Sequence, residues 1–353
     1  MRSPGLRLVA PLVLCTLVAA AQPLRQLAEE RGIRIGTAVQ SALLEEPIYA
    51  ATLAREFNQV EPESEMKFGP IHPAPHQYRF SPADTLVAFA RRNRMAVRGH
   101  TLVWHRQQPA WVTEGRFTPA QLSTILHEHI RKVVGHYAGT VYAWDVVNES
   151  FREDGSLRPT IWFNSPGIGR YGTGYIEQAF RWAKEADPRA LLFYNDYNAE
   201  DGNAKSDAIY QMAREFKTRG VPIDGVGLQM HLTTKIASLL SVEANIRRLT
   251  ELGLQIQITE LDVRLPVDAA GTASVMDIAK QAEIYGEIVS LCLKFSHCTA
   301  IQTWGVTDQY SWIPGEFPGQ GAALLFDPHY QTKAAYQAFR TSLSIPSRNW
   351  SFQ

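Results

Sequence analysis

Neither sign of charge is in excess in this chain. Lys plus Arg and Asp plus Glu each number 35 in 353 residues, and no basic block or acidic tail interrupts the mixture. Without a net field to gather polyanions or an anionic bilayer, nucleic acid and membrane surfaces are poor partners and a neutral ligand fits better. Beyond the N-terminus no apolar run is long enough to span a membrane. The first strand candidate is followed by a single Gly36 and no G-x-G-x-x-G, and a Walker-type loop, H-E-x-x-H and G-x-S-x-G are all missing, so dinucleotide, nucleoside triphosphate, zinc and serine-nucleophile chemistry have no support. His100 and His105 are five apart, and His127 and His129 fall on different faces of a helix. Neither pair has metal-ligand spacing, so no metal is expected, and His127 and His129 read as helix surface or edge. Linker-like and low-complexity tracts are absent too, which favours one large domain.

What is present begins with Arg2 and Arg7 ahead of an apolar run, Leu8 to Val18, and Ala19-Ala20-Ala21. That is the pattern of a secretory signal peptide over residues 1–21, leaving a mature chain from about Gln22 with no membrane anchor. Cys15 falls inside the signal. The remaining pair, Cys292 and Cys298, is expected to bridge in an oxidising compartment, the alternative being two free buried thiols. Residues 347–353 form a short tail with an Asn349-Trp350-Ser351 sequon.

Between these ends the pattern alternates. Strand candidates run over 33–39, 59–67, 96–104, 141–149, 191–195, 225–231, 255–260 and 300–304. Helical spacing separates them: a helix from Pro47 to Phe57, one from Ser81 with that Ser as cap, one opened by Thr118-Pro119 with Leu122, Ile125, Leu126, Ile130, Val133, Val134 and Tyr137 on its buried stripe, then 174–186, 203–218, a helix ending before Gly253, 274–293 with Ser274 as cap, and 333–339. Eight strands alternating with eight helices point to a single (β/α)8 barrel over 22–346, with a doubly wound sheet as the alternative that lacks its glycine-rich turn.

Polar and aromatic residues gather at the strand ends: Glu63, Ser64, Glu65 and Lys67; His100, Trp104, His105 and Gln107; Asn148 and Glu149; Asn195, Asp196 and Tyr197; Gln229 and His231; Glu260 and Asp262; Trp304 and Asp308. In such barrels that rim carries the chemistry. Two apolar strands, Trp144-Asp145-Val146-Val147-Asn148-Glu149 and Ile256-Gln257-Ile258-Thr259-Glu260-Leu261-Asp262, each deliver a Glu there, and a pair of carboxyls flanking one bond is what glycoside hydrolysis requires. A chain Glu260, His231, Asp262 would keep one carboxylate charged. Glu149 has only the amide of Asn148 beside it and suits the acid, its pKa raised by a neighbouring carboxylate.

Over essentially the whole mature region the chain resembles glycoside hydrolase family 10, the secreted endo-β-1,4-xylanases. The resemblance rests on Glu65-Met66-Lys67, His100-Thr101-Leu102-Val103-Trp104-His105, the two Glu strands, Gln229-Met230-His231, and Trp304-Gly305-Val306-Thr307-Asp308-Gln309-Tyr310-Ser311-Trp312. It implies a retaining mechanism with Glu149 as acid and base and Glu260 as nucleophile, Asn148 at the sugar 2-hydroxyl, and His231 and Asp262 in support. It also implies Glu63, Lys67, His100, Trp104, Gln107, Gln229, Trp304 and Trp312 on the glycone side, Tyr197 on the aglycone side, and a Cys292–Cys298 bridge. The expected partner is xylan or a xylo-oligosaccharide, met by a secreted monomer without cofactor. Two positions depart from the family pattern, Ser64 where Asn is usual and Phe68 where Trp is usual. A barrel that binds glycan without cutting it is the alternative from another class, but it would not need both carboxylates and their supporting groups.

Overall fold

The computed structural model describes residues 22–164, 167–236 and 238–345. The leader expected at 1–21 and the tail with Asn349 lie outside them. The strands are β1 (Arg34–Val39), β2 (Gln59–Pro62), β3 (Ala96–Val103), β4 (Val141–Asn148), β5 (Leu191–Asp196), β6 (Gly225–Leu228), β7 (His231–Thr233), β8 (Gln255–Pro266), β9 (Cys298–Thr303) and β10 (Gln320–Gly321). The helices are α1 (Leu24–Arg31), α2 (Pro47–Glu56), α3 (Phe68–Ile71), α4 (Ser81–Arg92), α5 (Ala110–Thr113), α6 (Pro119–His136), α7 (Gly174–Ala186), α8 (Ala204–Thr218), α9 (Leu239–Glu251), α10 (Val275–Cys292), α11 (Ile313–Glu316) and α12 (Ala334–Ser344).

Parallel pairing runs from β1 through β2, β3, β4, β5 and β6 to β8, then to β9, and β9 returns to β1, closing an eight-stranded barrel. The (β/α)8 architecture expected from the alternation is therefore the observed one. Beyond the ring, β7 and β10 pair with the outer half of β8. Strands covered by helices outside and side chains within are buried on both faces, which is why their sequences read as β-branched runs. Gly99 on β3 is a packing requirement, since a Cβ there would collide with the Trp144 ring on β4. The barrel interior is polar. Arg98, fully buried, bonds Asp145 and, at 2.6 Å, Gln257.

Side-chain caps mark three α-helix starts among the described residues. Thr118 and Gln121 form a reciprocal capping box on α6, Asn203 and Ser206 another on α8, and Ser274 accepts from the Asp277 N–H on α10. Ser81 does not cap: it is the first helical residue of α4, after Phe80. The strand read over 59–67 stops at Pro62, because proline cannot donate to the ladder, and 63–67 turns across the barrel mouth. The strand read over 225–231 divides at Met230, which is left-handed at φ 60°. His129 is fully buried, contrary to a surface position, with its ring stacked on Phe68 at 3.7 Å between centroids. Helix α1 has no counterpart in the alternation pattern. Cys292 and Cys298 are bonded, with Cα atoms 5.4 Å apart, joining the end of α10 to the start of β9.

Candidate active site

β4 ends at Asn148, and the next residue, Glu149, is left-handed at φ 55° with its N–H donating to the Asn195 carbonyl at 2.9 Å. A non-glycine residue in that region is strained and persists only where its surroundings hold it. The Glu149 carboxylate accepts from Trp104 Nε1 at 2.8 Å, Gln229 Nε2 at 3.2 Å and Asn148 Nδ2 at 3.3 Å, and His105 Nδ1 lies 3.8 Å away. Burial pushes this carboxyl up, but the Trp104 and Gln229 donors and the nearby imidazoles outweigh it, so Glu149 sits below the ordinary range in the free protein. That reverses the direction expected from a neighbouring carboxylate alone, because the two donors lie one residue past the ends of β3 and β6, invisible beside Glu149 in sequence.

Glu260, on β8, is held differently. Asn195 Nδ2 donates to Oε1 at 2.7 Å, and His231 Nε2 lies 3.1 Å from Oε2. His231 Nδ1 is 2.9 Å from Asp262 Oδ2, which also accepts from Trp312 Nε1 at 2.9 Å. The expected chain Glu260, His231, Asp262 is formed, fixed by the register that sets His231 opposite Asp262. Burial opposes a charge on His231, yet Asp262 and then Glu260 push its pKa up to about 10, so it stands as an imidazolium between two carboxylates at neutral pH.

The two carboxylates share a network. Asn195 Nδ2 also donates to Asn148 Oδ1 at 2.9 Å, and Gln229 Nε2 lies 3.3 Å from the same oxygen. With the Asn148 amide turned over, its nitrogen donates to the Asn195 carbonyl at 3.1 Å and its oxygen accepts from Trp104. Buried Lys67 lies 4.8 Å from the centre of the Trp104 ring and 5.6 Å from that of Trp304. Burial lowers its pKa, opposed by Glu260, Glu63 and Glu149, so both carboxylates act on one ammonium. Glu63 accepts from Gln40 Nε2 at 3.1 Å. His100 is 3.0 Å from Asp145 Oδ2 and edge-on to Trp304 at 5.2 Å. Tyr197 lies beyond Glu149, its hydroxyl accepting from Arg158 at 3.0 Å.

One expected residue is not drawn into these contacts. Gln107 has an exposed side chain without a hydrogen bond among the described residues, and only its carbonyl is engaged, by the Gly69 N–H at 2.9 Å. Asn195 stood on the rim in the sequence without a role, and its position one residue before the end of β5 was the available signal. Arg158, whose Nε donates to the Glu149 carbonyl at 3.1 Å, lies in a loop and gave none. Among the described residues Glu61, His100 and Asp145 could together face a cation, but Arg98 already contacts Glu61 and Asp145, so the charge there is taken.

Comparison with known proteins points to one family. The sequence profile of glycosyl hydrolase family 10 matches residues 23–342. The chain is 45% identical over 321 residues to endo-1,4-beta-xylanase B of Thermotoga neapolitana, covering 90% of each, and 38% identical over 334 residues to an endo-1,4-beta-xylanase of Agaricus bisporus, covering 94% of this chain and 97% of that one. Its fold is similar to the crystal structure of xylanase 10B from Thermotoga petrophila in complex with xylobiose, at a TM-score of 0.87 and 45% identity, covering 92% of this chain and 98% of that one. With a closed barrel, two carboxylates converging on its mouth and a match along nearly its whole described length, the chain belongs to glycosyl hydrolase family 10.

Proposed function

We propose that this protein is a retaining endo-1,4-β-xylanase that cuts internal linkages of xylan, with Glu260 as nucleophile and Glu149 as acid and base. The observation that carries the assignment is the unlike support of the two carboxylates. Glu260 accepts from an imidazolium that is itself anchored to Asp262 and from the Asn195 amide, an arrangement suited to a group that must stay ionised and oriented for attack. The hydrogen-bond donors to Glu149 are all neutral, so its proton affinity responds to what enters the cleft. A bound sugar adds desolvation without adding a positive charge, which shifts Glu149 toward the protonated form that an acid needs.

In the first step a Glu260 oxygen forms a bond to the anomeric carbon as the bond to the leaving oxygen breaks, and Glu149 gives that oxygen its proton. In the second, Glu149 takes a proton from water, whose oxygen attacks the same carbon and releases Glu260. Two inversions at one carbon retain its configuration. Asn148 binds the sugar 2-hydroxyl, Glu63, Lys67, His100, Trp104, Gln107, Gln229, Trp304 and Trp312 line the glycone side, and Tyr197 meets the aglycone. The mechanism calls for no metal or cofactor, so chelators leave turnover unchanged. The leader pattern at 1–21 supports a reading in which the mature catalytic domain spans 22–346 and works outside the cytoplasm, and we take it to act as a monomer.

Proton NMR of xylo-oligosaccharide cleavage should show the β-anomer as the first product, and an initial α-anomer would end the retaining reading. Glu149→Ala should lose roughly 10²–10⁴-fold on xylan, the usual worth of a general acid, yet keep activity on aryl xylobiosides whose leaving group needs no proton. Glu260→Ala should lose both, and identical behaviour of the two variants on both substrates would reverse or remove the roles. Product analysis on xylan beside β-glucan tests the substrate.

A further inference from the structure

Beneath the aglycone side lies a lysine in a place that the fold alone does not favour. Lys205 is the second residue of α8, where the helix's unpaired N–H groups make a positive charge unfavourable, and it is completely buried, which strips the ammonium of water at further cost. Three partners surround Nζ: Asp196 Oδ1 at 2.8 Å, Glu153 Oε1 at 3.3 Å and the ring of Tyr197, whose centre is 3.4 Å away. Asp196 also accepts from the Tyr194 hydroxyl and from the Tyr197 N–H at 3.0 Å, so the carboxylate that neutralises Lys205 holds the backbone of the residue on which Lys205 packs. The far end of the ring is tied as well, since Arg158 donates to the Tyr197 hydroxyl and, through Nε, to the Glu149 carbonyl. Tyr197 remains half-buried, with part of its surface in water.

We propose that Lys205 is a positioning residue of the aglycone subsite, clamping Tyr197 from one side so that the ring is already in place for the departing sugar. A side chain fixed before binding loses no rotamer freedom on binding, and the desolvated cation beneath the ring is what fixes it. Lys205 touches no substrate and acts through Tyr197. The inference rests on the assignment of Tyr197 to the aglycone side.

The test compares two substrates that differ only in what leaves. Xylotetraose places sugar on the aglycone side, whereas β-xylobiosyl fluoride expels a single ion and leaves that side empty. The readout is the ratio of kcat/KM for the first to that for the second, in the parent, Lys205→Met, Lys205→Met with Asp196→Asn, and Tyr197→Ala. Burial already holds the Asp196 carboxyl up at about 7 with Lys205 beside it, so losing the ammonium leaves a group that takes up a proton, and the double variant removes the pair together should the single one fail to fold. The ratio is expected to fall roughly ten-fold in both Lys205 variants, the order of a desolvated cation–π contact, and in Tyr197→Ala. An unchanged ratio in the Lys205 variants beside a lowered one in Tyr197→Ala would overturn the role of Lys205 and leave the site assignment standing. An unchanged ratio in Tyr197→Ala would remove that assignment and this inference with it.

Discussion

Trp104 presents a ring to Lys67 and an N–H to Glu149, and the second of these is the largest influence holding Glu149 ionised against its burial. Trp104→Phe keeps a ring and removes the donor. The Glu149 pKa then rises, and because the alkaline limb of kcat/KM reports loss of the acid's proton in the free enzyme, that limb should move about one unit to higher pH, the worth of one hydrogen bond to a charged group. A pH profile with an unmoved limb would assign that limb to another group. Ser64 is half-buried, and its hydroxyl has no partner among the described residues. Ser64→Asn should therefore strengthen xylotriose binding by about 0.5–1.5 kcal/mol, one neutral hydrogen bond, measured by titration calorimetry on a Glu149→Ala background. Glu149, Glu260, His231 and Asp262 were legible because each closes or follows a short apolar run that reads as a strand, although the strand read over 255–260 runs on to Pro266 in β8. The sign of the Glu149 shift was not, because its donors sit 45 and 80 residues away in sequence.

Among elements, legibility followed the strength of the local signal. The buried stripe of α6 and its Thr118 box were plain, and so were the β-branched runs of β4 and β8. The segment after β2 was not. Glu63 to Lys67 is a poor strand by propensity and reads as one only because the alternation requires a second strand there; its job is to carry Glu63 and Lys67 across the mouth of the barrel, and Glu65 ties the turn by accepting from the N–H groups of Ser41 and Ser64. Such tertiary ties leave no periodicity behind. The Cys292–Cys298 bridge acts at the element scale too, pinning the end of α10 to the first residue of β9, on the face opposite the candidate site. A loop this short restrains the unfolded chain modestly. Cys292→Ala with Cys298→Ala should cost roughly 2 kcal/mol in urea unfolding while kcat/KM on xylotetraose stays at the parent value. A large loss of activity would mean that the strain of opening this corner reaches the rim.

Closure of the barrel brings β1 and β9 together from opposite ends of the chain and sets Glu149 and Glu260 on one rim, so site and fold share their long-range contacts. The His231 triad couples them through pH. Its folded pKa of about 10 lies above the ordinary 6.5, so folding takes up a proton wherever the unfolded imidazole has lost its own. For a raised base the sign is fixed: the stabilisation is complete below about 6.5 and is lost as pH rises through about 10. His72 and His105, held down to about 4 by burial, act in the opposite sense, but their contribution is complete above 6.5 and cannot mask the fall. Subtracting the urea-unfolding free energy of His231→Gln from that of the parent isolates the triad. The difference should be greatest near pH 6 and shrink steadily toward pH 10, whereas a difference that stayed level across that range would mean the imidazole is neutral in the folded protein, and Glu260 would then have to hold its charge without it.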